Sequence, residues 1–218
     1  MKQETIPLEN SSIETRLIKN SYDLVIVGGG VTGAGVFHTA VQQGFSPLLV
    51  EANDFAWGTS SRSSKMVHGG LRYLKEGKFL LTRSAVRERQ RLLSVYPGLV
   101  EPLDFIMPLY NGHGPSLGAM RFGLSLYSLM AGKKQHEIFS RAQILGQVPK
   151  VCQTDLLSGV GFKDAQVDDA RLVLRLIFDG CDQGGDALNY TRATAVERNA
   201  KGKVAGIYLK DAHTGGEV

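Results

Sequence analysis

The sequence has little cysteine and no block of basic residues, and each shortage narrows its possible functions. Two of the 218 residues are cysteine, Cys152 and Cys181, at a spacing that matches no metal or redox motif. We therefore expect two buried thiols in a reducing compartment and no metal site. Lys and Arg total 25 against 21 Asp and Glu, a net charge of +4, and no basic block is interleaved with aromatic side chains. This mild positive charge suits a phosphate-bearing ligand or an anionic surface and does not predict nucleic-acid binding.

Charged residues are also absent from one long segment, because Leu24–Val50 contains no Asp, Glu, Lys or Arg. The segment is long enough for a membrane span, which needs about 20 apolar residues. Six glycines and Pro47 interrupt it, however, and such a segment makes a poor continuous helix. We therefore interpret it as separate buried elements with glycine at the junctions. The glycines are Gly28, Gly29, Gly30, Gly33, Gly35 and Gly44.

These elements have the pattern of a βαβ unit. Tyr22–Val27 is a short apolar run rich in β-branched residues, which predicts a buried strand. A helix is predicted over Val31–Gln43, with Gly44 at its C-terminal cap, and a second strand over Leu48–Val50. A strand, a helix and a strand within about 30 residues predict a parallel pair with a right-handed crossover. The expected fold class is therefore α/β, with a Rossmann-like domain at the N-terminal side.

The rest of the chain predicts further helices and strands. The segment from Leu117 to Ala131 is apolar on nearly every side, so we expect a buried helix, with an interfacial membrane helix as the alternative. Thr214–Glu217 has the composition of a hairpin turn, after which a returning strand should follow, so we expect this chain to be part of a longer one. Ser140 to Gln143 has the pattern of a capping box that begins a helix ending at Pro149, and Asp168 or Asp169 is expected to cap a helix that continues to Gln183. A further helix is predicted at 79–95, and strands at 102–109, 159–163, 187–190, 193–198 and 204–210.

The first junction carries a glycine motif. Gly28, Gly30 and Gly33 fit G-x-G-x-x-G between the predicted strand and helix, and Glu51 ends the next strand. Gly28 permits a tight turn, Gly30 admits a pyrophosphate to the backbone, and Gly33 lets the helix pack close to the strand. A carboxylate at Glu51 can accept hydrogen bonds from a ribose and would repel a 2′-phosphate, which disfavours NADP. The motif alone does not distinguish FAD from NAD.

The loop after the second strand is unusual for an NAD dehydrogenase. It reads GTSSRSSKMVHGGLRYL over residues 58–74. Its composition is compatible with a solvated linker, but the apolar residues and glycines at its end favour a binding segment. Hydroxyl and charged side chains that could reach a ligand are dense in it: Thr59, Ser60, Ser61, Ser63, Ser64, Lys65, His68 and Arg72.

Three motifs in this order resemble the FAD-dependent glycerol-3-phosphate dehydrogenases, of the D-amino-acid-oxidase-like flavoprotein superfamily. They are DLVIVGGGVTGAG at 23–35, GTSSRSSKMVHGGLRYL at 58–74 and VDDARLV at 167–173. The resemblance extends from about Tyr22 to Val218 and covers the N-terminal part of such proteins. It implies an FAD-binding domain over 22–218 with a partial substrate-domain insertion. Residues 1–21 lie outside the resemblance, and their composition predicts a polar extension.

The resemblance also implies roles for individual residues. The three motif glycines would hold the FAD pyrophosphate, and Glu51 the adenosine ribose. Arg72 and Tyr73 would face the substrate phosphate, for which a guanidinium offers bidentate bonds. His68 would be either a base or a ring packed beside the flavin. The remaining residues implied at the flavin are Thr59, Ser60, Ser63, Ser64 and Lys65.

The implied reaction is oxidation of glycerol 3-phosphate to dihydroxyacetone phosphate, with hydride transfer to flavin N5 and electrons passed to quinone. Such an enzyme is expected in the cytoplasm, with peripheral contact at the inner face of the membrane, and its catalytic base is expected beyond Val218. Two alternatives stay open. One is another FAD-dependent oxidase of the superfamily that acts on an amine or a hydroxy acid. The other is a non-catalytic FAD-binding fragment.

Overall fold

The chain divides into two compact units. The computed structural model describes residue 19 and residues 21–70, 73–74, 76–132 and 136–218. The first unit comprises Met1–Ser64 and Asp169–Val218, and the second comprises Lys65–Asp168. Most of the predicted N-terminal extension, residues 1–18 and 20, lies outside the described residues.

The first unit contains the predicted βαβ element. Strand β1 (Leu24–Val27) pairs in parallel with β2 (Pro47–Val50), and helix α1 (Val31–Gln42) connects them. A third parallel strand, β6 (Asp186–Leu188), lies on the other side of β2, so the strand order is β1-β2-β6. All four residues of β2 are buried, as expected for the central strand of a sheet that is covered on both faces.

Helix α5 (Asp169–Asp182) packs against α1 and completes this layer. The approach is close because Gly180 faces Phe37, and a Cβ at Gly180 would lie 2.5 Å from Phe37 Cε1. Phe37 is fully buried in consequence. The unit ends in an antiparallel hairpin of β7 (Thr191–Arg198) and β8 (Val204–Asp211).

The second unit consists of three helices and three strands: α2 (Phe79–Val95), β3 (Val100–Tyr110), α3 (Leu117–Met130), β4 (His136–Ser140), α4 (Arg141–Gln147) and β5 (Leu156–Val167). The strands form an antiparallel sheet with strand order β3-β5-β4. Strands β3 and β5 were predicted in part, but β4 was not predicted at all. Helix α4 begins with the predicted capping box, in which Ser140 and Gln143 exchange side-chain-to-backbone hydrogen bonds of 3.4 and 2.8 Å.

Helix α3 differs from the sequence expectation. Leu124 and Tyr127 are each 1% exposed and belong to the core of the unit, but Phe122 and Leu129 are 75% and 76% exposed. The expectation of a helix buried on nearly every side is therefore wrong. The helix packs with one stripe, on the core that includes Leu109 and Val160 of the sheet, and within the described residues its opposite stripe has no cover.

Glycine residues end two helices and form a turn at the positions predicted from the sequence. Gly44, after α1, and Gly184, after α5, have φ values of +85° and +98°, as a left-handed C-terminal cap requires. At the predicted turn Thr214–Glu217, Gly215 has φ +72° and a bridge joins Lys210 to Glu217. The predicted fold class, an α/β chain that begins with a βαβ unit, is confirmed.

Candidate functional site

The glycine loop, residues 28–33, connects β1 to α1 with a backbone that demands glycine. Gly28 has φ +112°, and its N–H donates to Val50 O at 2.8 Å. A Cβ at Gly33 would overlap the carbonyl oxygen of Gly28. A second close approach was not predicted, because it falls on a variable position of the motif: a Cβ at Gly29 would lie 2.9 Å from Glu51 Cβ. The loop is therefore pressed against the ends of both strands.

The N-terminus of α1 is arranged to accept an anion. Its cap residue, Gly30, has no side chain to bond the first turn, and this turn contains no acidic residue. The Val31 N–H donates instead to Ser60 Oγ at 2.9 Å, from the loop after β2. The Ser60 hydroxyl keeps its own proton for a second partner. Unpaired N–H groups and the positive end of the helix dipole favour a phosphate group here.

Glu51 lies beside this loop at the end of β2. Its Oε2 accepts from Gly29 N at 2.8 Å, and its Oε1 accepts from Asn53 N at 2.9 Å. Each carboxylate oxygen can accept a further hydrogen bond, so the ribose role is compatible with these contacts. The structure thus brings Gly28, Gly30, Gly33 and Glu51 together with Ser60 in one unit, which is the geometry that a dinucleotide needs.

The hydroxyl-rich segment that follows is tied to α5. Ser63 donates to Asp169 Oδ2 from both its Oγ, at 2.6 Å, and its N–H, at 3.2 Å. The sequence interpretation gave Asp169 only a helix-capping role and missed this link between the second and third motifs. Thr59 and Ser60 lie in a short 3-10 turn, Thr59–Ser61, and the Ser64 residue is exposed.

The remaining predicted site residues belong to the second unit. Lys65 has φ +56°, and its carbonyl accepts from Val167 N at 2.9 Å, which lays this stretch along the end of β5. His68 is exposed, and its ring centroid lies 6.0 Å from that of Tyr73. Arg72 lies outside the described residues.

Sequence reasoning missed a buried polar cluster in the same unit. Arg89 Nη1 donates to Asp164 Oδ1 at 2.9 Å and to the Tyr127 hydroxyl at 2.7 Å. Arg89 and Tyr127 are each 1% exposed, and Asp164 is 5% exposed. One signal was present: Arg89 falls on the buried stripe of α2 with Thr82 and Val86, where an apolar residue is expected.

Burial raises the pKa of Tyr127 from its ordinary value of 10.0 to about 12, with Asp164 adding to the rise and Arg89 opposing it. The unfolded chain then loses this proton near pH 10 and the folded chain near pH 12. Stability should be fully present below pH 10 and fall as the pH rises through this window, by up to about 2–3 kcal/mol. Urea unfolding at pH 9, 10 and 11 measures the decline. The Tyr127→Phe variant should decline less, and an equal decline in both proteins would contradict the assignment.

A cavity of about 320 Å³ also lies in the second unit, against the β3-β5-β4 sheet. Its charged lining is mixed, with Asp104, Glu137 and Lys163. It contains none of the predicted site residues. Among the described residues no group of three or more His, Cys, Asp or Glu side chains could hold a metal ion. The expectation that both cysteines are buried is wrong, because Cys152 is exposed and Cys181 is partly exposed.

Comparison with known proteins assigns the family. A family model described as FAD dependent oxidoreductase matches residues 23–218, which includes both units. The chain belongs to this family. The resemblance predicted from the three motifs is thereby confirmed at the level of the family, together with its cofactor class.

Two curated relatives have names that are more specific than the description of the family model. The aerobic glycerol-3-phosphate dehydrogenase of Staphylococcus haemolyticus is 36% identical over 211 residues, which cover 95% of this chain and 38% of that protein. The aerobic glycerol-3-phosphate dehydrogenase of Staphylococcus aureus (strain USA300) is 34% identical over 205 residues, 93% of this chain and 37% of that protein. The chain thus spans less than two fifths of the length of these curated relatives.

Two solved structures are similar to this chain over about nine tenths of its length. The glycerol-3-phosphate dehydrogenase of Bacillus halodurans, complexed with FAD, is 30% identical, with a TM-score of 0.66 over 92% of this chain and 32% of that one. L-proline dehydrogenase of P. horikoshii has a TM-score of 0.69 over 91% of this chain and 50% of that one, but is 12% identical and shows the fold alone.

Proposed function

We propose that this chain is the FAD-binding part of a dehydrogenase that oxidises sn-glycerol 3-phosphate to dihydroxyacetone phosphate. The observation that carries the proposal is the 36% identity to an aerobic glycerol-3-phosphate dehydrogenase over 95% of the chain. The aligned region therefore spans the glycine loop and the residue 58–74 segment, where the chemistry is expected. We further propose that residues 22–218 form the FAD-binding domain and that the unit Lys65–Asp168 is its substrate-region insertion.

The residues of the glycine loop fit FAD. Gly33 leaves no room for a side chain, and Gly28 holds φ +112°, which favours glycine. The N-terminus of α1, where Gly30 has no side chain and Val31 N–H donates to Ser60 Oγ, suits the pyrophosphate. Glu51 has free lone pairs for the adenosine ribose. When bound, FAD would supply the acceptor for the hydride that leaves C2 of the substrate.

The chain's own residues would bind and orient the two ligands. Ser60 would donate its hydroxyl proton to a pyrophosphate oxygen while its oxygen caps α1. Arg72 and Tyr73 would hold the substrate phosphate, because a guanidinium fork and a phenol both donate to phosphate oxygens. His68 is the candidate in this segment for the proton that leaves the C2 hydroxyl. The other proposed flavin contacts are Thr59, Ser63, Ser64 and Lys65.

The test is spectroscopic. A full-length form of the protein should purify with the visible absorbance of oxidised flavin, and glycerol 3-phosphate added without air should bleach it. Glycerol and an amino acid serve as controls. Bleaching by the amino acid but not by glycerol 3-phosphate would identify another oxidase of the family, and a colourless protein that takes up no FAD would overturn the proposal.

Replacing Glu51 with glutamine is expected to weaken FAD binding about ten-fold or more, because the ribose loses hydrogen bonds to a charged acceptor. The Glu51 carboxylate also holds Gly29 N and Asn53 N, so a small loss of stability should accompany it. Titration of apoprotein with FAD, followed by flavin fluorescence, measures the affinity. The control is Glu217→Gln, which changes an exposed carboxylate paired with Lys210 in the same unit. Unchanged affinity in Glu51→Gln would remove Glu51 from the site.

We also propose quinone as the electron acceptor, reached by peripheral contact with the inner face of the membrane. Within the described ranges no helix is both long enough and apolar enough to cross a bilayer. Lys133 and Lys134, which lie outside the described residues, are basic candidates for such contact. Salt or carbonate washing should release a full-length form from membranes, and retention through both washes would contradict peripheral attachment.

A further inference from the structure

A glycine pair in the second unit is held by polar side chains that are buried beneath it. The N–H of Gly69 donates to Asp164 Oδ1 at 2.9 Å, and this bond is buried. The same oxygen accepts from Arg89 Nη1. A Cβ at Gly69 would overlap the Tyr127 hydroxyl and lie 3.0 Å from Arg89 Nη1. The backbone at Gly69 therefore lies directly on this cluster, with no space between them.

The next residue is fixed as well. Gly70 has φ +76°, and its carbonyl accepts from Thr82 Oγ1 at 3.4 Å and from Tyr73 N at 2.9 Å. Gly69 and Gly70 are both buried, whereas His68 before them is exposed. The pair thus anchors a short stretch that begins with the exposed residue His68.

Burying these charged groups is an inefficient means of stabilising a core, compared with burying apolar side chains of similar size. Moving a guanidinium and a carboxylate out of water costs several kcal/mol each, and a pair of apolar residues at such a site is often equally or more stable. The cluster also draws its members from three elements, Arg89 from α2, Tyr127 from α3 and Asp164 from β5. What the charged cluster supplies and an apolar core cannot supply is an acceptor for the Gly69 N–H at a fixed position.

We propose that Arg89, Tyr127 and Asp164 are positioning residues: they hold the Gly69–Gly70 backbone, to which the Tyr73 N–H is bonded, so that Tyr73 keeps the geometry needed to bind the substrate phosphate. The inference rests on the proposed function for the identity of that substrate. Asp164 bonds the Gly69 amide, Arg89 neutralises and orients Asp164, and Tyr127 orients Arg89. None of the three contacts the substrate on this proposal; they act through the glycine pair.

The experiment distinguishes a role in positioning the glycine pair from a role in fold stability alone. In the double variant Arg89→Met/Asp164→Leu both buried charges are removed together, so the fold should keep most of its stability while the Gly69 N–H loses its acceptor. Amide hydrogen exchange at Gly69 should then accelerate by roughly a hundred-fold. In a full-length form, KM for glycerol 3-phosphate should rise about ten-fold or more with kcat changed far less, because binding of the phosphate and not hydride transfer is disturbed.

Two further variants keep the test decisive. Asp164→Asn retains an oxygen for the Gly69 N–H and should give a smaller rise in KM than the double variant. Arg91→Met is the matched control: it makes the same exchange in α2, at an exposed pair with Glu88, and should change neither KM nor exchange. Should the double variant not fold, Tyr127→Phe, which removes one hydroxyl contact of Arg89, should still raise KM.

The outcomes that would overturn the inference differ from those that would overturn the proposed function. A wild-type protein that glycerol 3-phosphate does not reduce contradicts the proposed function, and the inference falls with it. A wild-type protein that reacts, beside variants with faster Gly69 exchange and unchanged KM, leaves the proposed function intact and contradicts positioning. Faster exchange with raised KM, and little loss of kcat, supports both.

Discussion

Replacing Gly33 with alanine is expected to reduce FAD affinity by more than about a hundred-fold and to destabilise the first unit by several kcal/mol. The added Cβ would overlap the carbonyl oxygen of Gly28. That oxygen cannot move aside easily, because Gly28 holds φ +112° and its N–H is bonded to Val50 O at 2.8 Å. Relief of the overlap requires α1 to move away from β1, and the anion-binding end of the helix moves with it.

Gly35 provides a matched control in the same helix. A Cβ at Gly35 would meet nothing within 4 Å, so alanine should fit there without strain. Because alanine is a better helix former than glycine by roughly 1 kcal/mol, Gly35→Ala should leave FAD binding unchanged and raise stability slightly. FAD titration and urea unfolding of both variants measure the contrast. Normal FAD affinity in Gly33→Ala would show that the close approach at Gly33 does not position the phosphate site.

The contrast between Gly33 and Gly35 also shows why the first unit was predictable from sequence. A tight turn and a close helix–strand contact each require glycine. The glycines at positions 28 and 33 therefore indicate this backbone geometry in the sequence itself. The apolar runs on either side have the length and composition of buried parallel strands. Local signals of this kind were sufficient to predict β1, α1 and β2 with errors of one or two residues at their ends.

The second unit was less predictable from the sequence than the first. Strand β4 has a short mixed sequence, His136–Ser140, whose pairing with β5 is set by tertiary contacts. Helix α3 has apolar residues on its exposed stripe, so composition could not show which side packs. The Arg89 cluster depends on partners 38 and 75 residues away, Tyr127 and Asp164, and no local pattern connects them.

Among the site residues, too, local contacts were predictable from the sequence and long-range contacts were not. Glu51 was predicted from its place at the end of β2, and its contacts with Gly29 and Asn53 follow from that place. Ser63 was predicted as a flavin contact from the resemblance alone, and its bond to Asp169 joins two motifs that are far apart in sequence. Long-range hydrogen bonds of this kind are set by the fold and leave no spacing rule to detect.

Arg72→Ala in a full-length form is expected to lower kcat/KM for glycerol 3-phosphate by roughly ten- to several-hundred-fold, because losing a charge-assisted pair costs about 1.5–3 kcal/mol, and more when its partner stays buried. In the sequence Arg72 follows Gly69 and Gly70, whose backbone groups bond to Asp164 and Thr82. A planar guanidinium that is always charged is the better phosphate ligand than a lysine at such a place.

The measurement compares substrates and variants side by side. Oxidation of glycerol, which has no phosphate for Arg72 to hold, should change much less than oxidation of glycerol 3-phosphate, and FAD content should stay near normal. Arg83→Ala, an exposed arginine of α2, is the control and should affect neither substrate. If Arg72→Ala lost its FAD, or lost activity on both substrates equally, Arg72 would be a cofactor or folding residue, because a phosphate ligand distinguishes the two substrates by the one group in which they differ.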